Sequence, residues 1–171
     1  MLPYYGNTHT TSTVTSLQST LYRHEARDAI RNSVNASEHD AVIFVSSGAT
    51  GAVHKLINAL RDDNNEDDPS SQPPPPPIVI AGPWEHHSNL LPWREIAERV
   101  LQVDDDVDGN VDMAHLKMIL EQVASSRRKG QKVIGCFSAA SNVTGVKADV
   151  SKILQPPCCL SLTSSHSFDS D

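Results

Sequence analysis

Apolar residues along this chain occur in short runs, and a polar turn follows most of them. The first clear run is residues 42–45, an unbroken sequence of β-branched and aromatic side chains that Ser46, Ser47 and Gly48 follow. Such a run is too short for a helix and predicts an inner, buried strand of a parallel sheet. Beyond Gly48 the apolar positions recur at helical spacing, at Val53, Leu56, Ile57 and Leu60. The stretch therefore predicts a strand, a sharp turn and a helix.

The same pattern continues to residue 153. Strands are predicted at Ile78–Ala81, at residues 100–103 and at residues 132–138. Helices are predicted from near residues 12–16, from about residue 92 to residue 98, and from an N-cap at Asp112 through Val123. Alternation of strands and helices predicts the α/β class with a mainly parallel sheet.

Three polar turns follow predicted strands, at residues 46–50, 84–89 and 138–145. In open α/β sheets ligands collect at the carboxyl ends of the strands, so we expect these turns to share one edge and to form a site there. The turn at residues 46–50 opens a helix, whose first backbone N–H groups attract anions. The hydroxyls of Ser47 and Thr50 add donors suited to a phosphate. A turn of small residues without a ligand is the alternative, because the Gly-Lys-Ser/Thr ending of a nucleotide-binding loop is absent after Gly48.

Composition and charge exclude several classes of protein. The 171 residues suffice for one domain, but 38% are hydrophobic and the mean hydropathy is −0.35. The chain has neither an apolar run of membrane-spanning length nor the pattern of a signal peptide, so we expect a soluble cytoplasmic protein that does not bind membranes. The net charge is −7, with acidic runs at residues 61–68 and 104–108. No basic patch is present, which argues against nucleic acid as a partner.

Residues 61–77 are predicted to form a surface insertion loop, because an acidic run is followed there by five consecutive prolines at residues 73–77. A docking site for a polyproline-binding module is the alternative. The three cysteines have no metal-binding spacing and no disulfide pattern, and Cys136, inside a predicted strand, is expected to be a packed core thiol. His9 lies in a loop among hydroxyl residues, where contact with a substrate and simple solvent exposure are both open.

Glu85, His86 and His87 invite a metal-site interpretation, but adjacent histidines point in different directions and no third ligand follows at a suitable spacing. We therefore expect no metal. A flat imidazole, a phosphate anchor and the amide of Asn142 suit an aromatic, phosphorylated cofactor better. Pyridoxal 5'-phosphate (PLP) fits that description.

These motifs, in order, resemble those of the class V aminotransferases, and the cysteine desulfurase and selenocysteine lyase branch most closely. The resemblance covers roughly residues 4–153, and the string from Glu85 to Trp93 (EHHSNLLPW) is its most specific part. It implies a PLP-dependent fold of type I, an amino-acid substrate for the full-length parent and a possible homodimer. It also implies that Gly48, Ala49 and Thr50 hold the cofactor phosphate, that His86 stacks on its ring, and that Asn142 bonds near the ring's phenolic oxygen or the substrate carboxylate.

The sequence also departs from that family. After residue 153 we find neither the aspartate that would pair with the pyridine nitrogen nor the aldimine lysine that anchors the cofactor, and Lys55, Lys147 and Lys152 lie in other contexts. No catalytic residue is therefore identified. Residues 1–153 are interpreted as a partial PLP-binding domain and residues 154–171 as an anomalous, disordered tail. We expect a truncated form or fragment of such an enzyme, or alternatively a catalytically inactive interaction or regulatory protein.

Overall fold

The structure, a computed structural model, describes residues 4–8, 10–62 and 74–155 of the chain. These residues belong to two compact units, Met1–Val45 and Ser46–Asp171. His9, Cys158 and Cys159 lie outside the described residues, as do most of the predicted insertion loop and nearly all of the predicted tail. No helix among the described residues is long and apolar enough to cross a membrane.

The first unit is built on helix α1 (Val14–Ser33), which begins close to the predicted position. The side chain of Thr13 caps it by accepting a hydrogen bond from the N–H of Ser16. The segment before the helix lies along its first turns. Thr20 donates its hydroxyl to the carbonyl of Thr8 at 3.1 Å, and a side chain on Gly6 would meet the nitrogen of Ser16 at 2.5 Å. Only glycine permits that close approach.

Residues 42–45 do not form the predicted strand, and this prediction is wrong. Their backbone has no strand partner among the described residues, and the side chains of Ile43 and Phe44 are 59% and 51% exposed. Phe44 instead lies under the guanidinium of Arg27, 5.9 Å from the ring centre. An apolar run reports a tendency towards burial, but a strand also requires a neighbour to accept its backbone hydrogen bonds.

The second unit contains a three-stranded parallel sheet in the order β2-β1-β3, formed by β1 (Ile78–Ala81), β2 (Arg99–Gln102) and β3 (Val133–Cys136). The central strand β1 is buried along its whole length. Its register places Ile78 beside Arg99 on one side and beside Val133 on the other. The predicted α/β class with a mainly parallel sheet is confirmed, and the observed strands lie within one to two residues of their predicted ends.

Two apolar clusters use alternate residues of β1, as the two faces of a strand require. Ile78 and Ile80 belong to one cluster, with Leu116, Ile119 and Val123 from helix α4 (Met113–Ser126). The other contains Val79 and Ala81 from β1, Ile57 from helix α2 (Gly48–Asp62), and Leu90 and Trp93 from helix α3 (His87–Ile96). The buried sheet thus separates α4 from the α2 and α3 pair, and a short helix α5 (Val150–Ile153) follows β3.

Helix α3 begins at His87, five residues earlier than predicted. Proline is favoured in the first turn of a helix. In the structure His86 is the N-cap, and its side chain accepts the N–H of Ser88. Pro92 lies in the second turn, where it is buried, so packing offsets the hydrogen bond that proline cannot donate.

Candidate functional site

The turn before α2 has the conformation of an exposed helix start. Gly48 begins the helix as predicted, and both Ser47 and Gly48 have left-handed backbone, with φ of 68° and 59°. Residues 46–50 are exposed, and a side chain built on Gly48 would meet no atom within 4 Å. Gly51 closes the turn by donating its N–H to the carbonyl of Ser47 at 3.3 Å. The first turn of α2 therefore has the open N-terminus that an anion site requires.

His86 lies between β1 and α3 with an exposed ring. Its Nδ1 accepts the N–H of Ser88 at 3.1 Å and lies 2.8 Å from the hydroxyl of the same residue. This capping bond fixes one edge of the imidazole and leaves its faces available. The ring of His87 lies 6.2 Å away and is tilted by 49°, so the two histidines do not act as a pair. Among residues 4–8, 10–62 and 74–155, no group of three or more His, Cys, Asp or Glu side chains is arranged to hold a metal ion.

Asn142 lies at the exposed tip of a turn that several hydrogen bonds hold. Ser141 is buried, and its hydroxyl accepts the N–H groups of Val143 and Thr144 at 3.3 and 3.2 Å. Its own N–H donates to the carbonyl of Val146 at 2.8 Å. The left-handed backbone of Gly145, with φ of 74°, lets the chain reverse. The turn thus presents Asn142 on a fixed backbone.

Glu85 connects the last two polar turns, a role that the sequence analysis missed. One carboxylate oxygen, Oε1, accepts the backbone N–H of Ser138, and the other, Oε2, accepts the hydroxyl of Ser138 at 2.8 Å. Oε2 also accepts the side-chain amide of Asn89 at 2.6 Å. The spacing of four residues between Glu85 and Asn89 is visible in the sequence. Nothing in the sequence shows that Ser138, 53 residues away, is the other partner.

The predicted site residues are thus partly brought together. The turns at residues 84–89 and 138–145 are joined directly through Glu85, whereas the turn at residues 46–50 is connected to them through the packing of α2 on α3. In the described part of the chain, no hydrogen bond links Gly48, Ala49 or Thr50 to His86 or Asn142.

The donor set fits the noncovalent contacts of PLP. An exposed helix start with a threonine hydroxyl suits the phosphate, an imidazole with free faces suits the ring, and an exposed amide suits an oxygen of the ring or substrate. Three lysines follow the phosphate turn or the Asn142 turn in the sequence: Lys55 is exposed on α2, Lys147 is exposed just after the Asn142 turn, and Lys152 pairs with Asp149 at 3.4 Å on α5.

Cys136, at the carboxyl end of β3, is a packed thiol. It is 6% exposed and belongs to the cluster around Trp93. Burial, with a smaller effect of the Glu85 charge, raises the pKa of this thiol to about 12. A group in this state is protonated at neutral pH and does not suit the transfer of sulfur.

Comparison with known proteins gives consistent results. The family model described as "Aminotransferase class-V" matches residues 1–156. A probable cysteine desulfurase of Streptomyces coelicolor is 28% identical over 158 residues, which are 89% of this chain and 34% of that protein. A cysteine desulfurase of Pectobacterium atrosepticum is 27% identical over 124 residues, 69% of this chain and 28% of its own length.

Two solved structures share the fold. A NifS-like protein from Rickettsia africae aligns with a TM-score of 0.58 at 18% identity, covering 84% of this chain and 35% of that one. The cysteine desulfurase CsdA from Escherichia coli, in its S-sulfonic acid form, aligns with a TM-score of 0.54 at 18% identity, covering 86% and 34%. The chain spans about a third of the length of these proteins. With the family model matching most of its residues, the chain belongs to the class V aminotransferase family.

Proposed function

We propose that this chain forms the phosphate-binding and ring-binding part of a PLP-dependent enzyme of the cysteine desulfurase type. The observation that carries the proposal is the exposed start of α2 in the same unit as two further polar turns, both at the carboxyl ends of parallel strands. The names of the curated relatives favour cysteine desulfurases within the family. An amino-acid substrate and a homodimeric assembly are part of the proposal for a longer protein.

Each contact is assigned to a group that suits it. The backbone N–H groups of Ala49 and Thr50 and the hydroxyl of Thr50 would hold the phosphate, and Gly48 would leave space for it. The exposed face of His86 would lie against the ring, while Asn142 would donate its amide to an oxygen of the ring or of the substrate carboxylate. PLP, when bound, supplies an electron sink for chemistry at the α-carbon of an amino acid.

The chain's own residues therefore bind and orient PLP, and no proton transfer is assigned to them. Within the 171 residues no lysine stands in the Ser-His-Lys context that the family resemblance implies for covalent anchoring. The activity proposed for this chain alone is reversible, noncovalent binding of PLP.

A binding titration tests the proposal. The purified chain is titrated with PLP, the absorbance of the cofactor and its circular dichroism are followed, and inorganic phosphate is added as a competitor. We expect saturable binding that phosphate weakens. The replacement Thr50→Val removes one donor and should weaken binding about tenfold, since a hydrogen bond to a charged group is worth about 1.5 kcal/mol.

The matched control is Thr11→Val, the same change at an exposed position in the other unit, which should leave the affinity unchanged. Saturable binding that Thr50→Val does not alter would remove Thr50 from the site. An absence of saturable binding by the native chain would refute the proposed function.

A further inference from the structure

We propose that Glu85 is a positioning residue that locks the His86 loop to the Asn142 turn, an inference whose consequence for PLP rests on the proposed function. Glu85 immediately precedes His86, and its partner Ser138 begins the segment that leads to Asn142. The carboxylate thus joins the carboxyl ends of β1 and β3, the two strands that carry the candidate ring contacts.

The lock extends into the core. Trp93, which is 2% exposed, donates its indole N–H to the side-chain oxygen of Asn89 at 3.3 Å. Asn89 in turn donates to Glu85, so a continuous series of bonds runs from a buried anchor on α3 to the turn after β3. From the other side of β1, the amide of Gln102 at the end of β2 donates to the carbonyl of Pro83 at 3.2 Å. All three strand ends therefore hold the loop in front of His86.

Opposite the amide donor of Asn89, position 85 requires a carboxylate with space around it. Two carboxylate oxygens receive three donors, an arrangement that acceptor-only oxygens satisfy and that an amide cannot. Gly82 provides the space, because a side chain built there would meet Oε1 of Glu85 at 2.8 Å and the ring of Phe137 at 3.1 Å.

Exchanging the donor and the acceptor tests the lock. In Glu85→Gln, the new amide N–H₂ faces either the amide of Asn89 or the N–H of Ser138, and one bond is lost. In the double variant Glu85→Gln/Asn89→Asp, the amide of the new glutamine donates to the new aspartate. Ser138 can rotate its hydroxyl to accept from the same amide, and the new aspartate still accepts from Trp93. The total charge of the pair is also restored.

The measurements are the PLP affinity of the folded variants and the backbone ¹H–¹⁵N NMR shifts of His86 and Asn142 without PLP. We expect Glu85→Gln to weaken PLP binding about tenfold and to shift both amides, and the double variant to restore both properties. Gln131→Ala is the matched control. It removes a buried polar side chain at the opposite ends of the strands, so it should lower stability without changing the affinity or these two shifts.

Unchanged affinity and unchanged shifts in Glu85→Gln would overturn the inference. So would a double variant as impaired as the single one, because that result would show that the charge at residue 85 matters and the bond to residue 89 does not. If the native chain binds no PLP, the proposed function fails, and the NMR shifts alone decide whether the lock exists.

Discussion

Cys136 offers a test of burial at the scale of one residue. Its thiol is packed beside the Trp93 cluster, and its pKa is raised to about 12, chiefly by burial. Since the thiolate is the reactive form, alkylation by iodoacetamide at pH 8 should be at least about a hundredfold slower in the native chain than in urea. Peptide mapping by mass spectrometry measures the rate of alkylation at Cys136 separately from the rates at the other cysteines. Equal rates in both conditions would show that β3 opens readily.

Two glycines in the first turn of α2 should respond differently to alanine. Gly48 has left-handed backbone in open space, so Gly48→Ala should cost about 1 kcal/mol from the backbone alone. Gly51 lies inside the helix, where alanine normally gains about 0.5 to 1 kcal/mol. A side chain there, however, would meet the carbonyl oxygen of Ser46 at 2.1 Å.

The sign of the stability change in Gly51→Ala therefore shows whether helix propensity or the close contact with Ser46 prevails. We expect the contact to prevail and the free energy of unfolding to fall by more than in Gly48→Ala, as measured by urea denaturation followed by circular dichroism. A gain in stability would mean that residues 46–48 move aside at little cost, and that the turn is not held as the structure describes.

At the scale of elements, the sequence predicts those structures whose causes are local. Asp112 predicts the start of α4 because a cap acts on the next three residues, and its carboxylate indeed accepts the N–H groups of Ala114 and His115. The apolar run of β1 predicts a strand buried on both faces, which the sheet confirms. Residues 42–45 carry a similar run without a pairing neighbour, and periodicity contains no information about neighbours.

The features of the candidate site also divide into those with local causes, which the sequence predicts, and those that depend on distant segments, which it does not. The small-residue turn after residue 45 and the helical spacing after Gly48 sufficed to predict an exposed helix start. The contact between Glu85 and Ser138 depends on which segments the topology brings together, and no local spacing in the sequence reports that. The resemblance to the family predicts a ring contact for His86, but it does not predict the capping bond from Ser88 to His86 that places the start of α3 at His87.

The cap of α4 gives a prediction at this scale. Asp112→Ala removes the acceptor of two helix N–H groups and should lower the free energy of unfolding by about 0.5 to 2 kcal/mol. Asp108→Ala, a change of equal charge in the preceding exposed turn, is the control and should change stability by less than about 0.5 kcal/mol. Chemical denaturation measures the change in the free energy of unfolding for both variants. Equal effects would assign the loss to net charge rather than to the cap.

At the scale of the whole second unit, Glu98 and Gln131 join the amino ends of the three strands. The buried side chain of Gln131 donates to Glu98 at 2.6 Å and to the carbonyl of Pro76 at 2.7 Å, and Arg128 pairs with the same carboxylate. The hydrogen bond from Gln131, with a further effect of Arg128, lowers the pKa of Glu98. This contribution to stability is therefore complete above the carboxyl's unfolded pKa and is lost as the pH falls through its folded pKa.

Glu98→Gln should consequently lower the free energy of unfolding at pH 7. The difference in stability from the native chain should shrink as the pH falls from 7 through the folded pKa of Glu98, because the protonated glutamic acid is uncharged like glutamine. Urea titrations across this range measure the difference. Glu95→Gln, the same change at an exposed position on α3, should show a small difference at every pH. A Glu98→Gln effect that stays constant with pH would show that the ionised carboxylate does not stabilise the fold.

The last prediction concerns the activity of the 171-residue chain as a whole. Binding and proton transfer are separate tasks, and the described residues supply candidates for the first alone: a helix start at Gly48, the ring of His86 and the amide of Asn142. Loss of a proton-transferring group costs about a hundredfold to ten-thousandfold by itself. The purified chain with saturating PLP should therefore release neither sulfide nor alanine from cysteine above the rate of free PLP.

Borohydride reduction followed by peptide mapping checks for a covalent attachment. Turnover above that rate, together with one labelled lysine whose replacement abolishes it, would contradict the prediction and would direct attention to Lys55, Lys147 or Lys152.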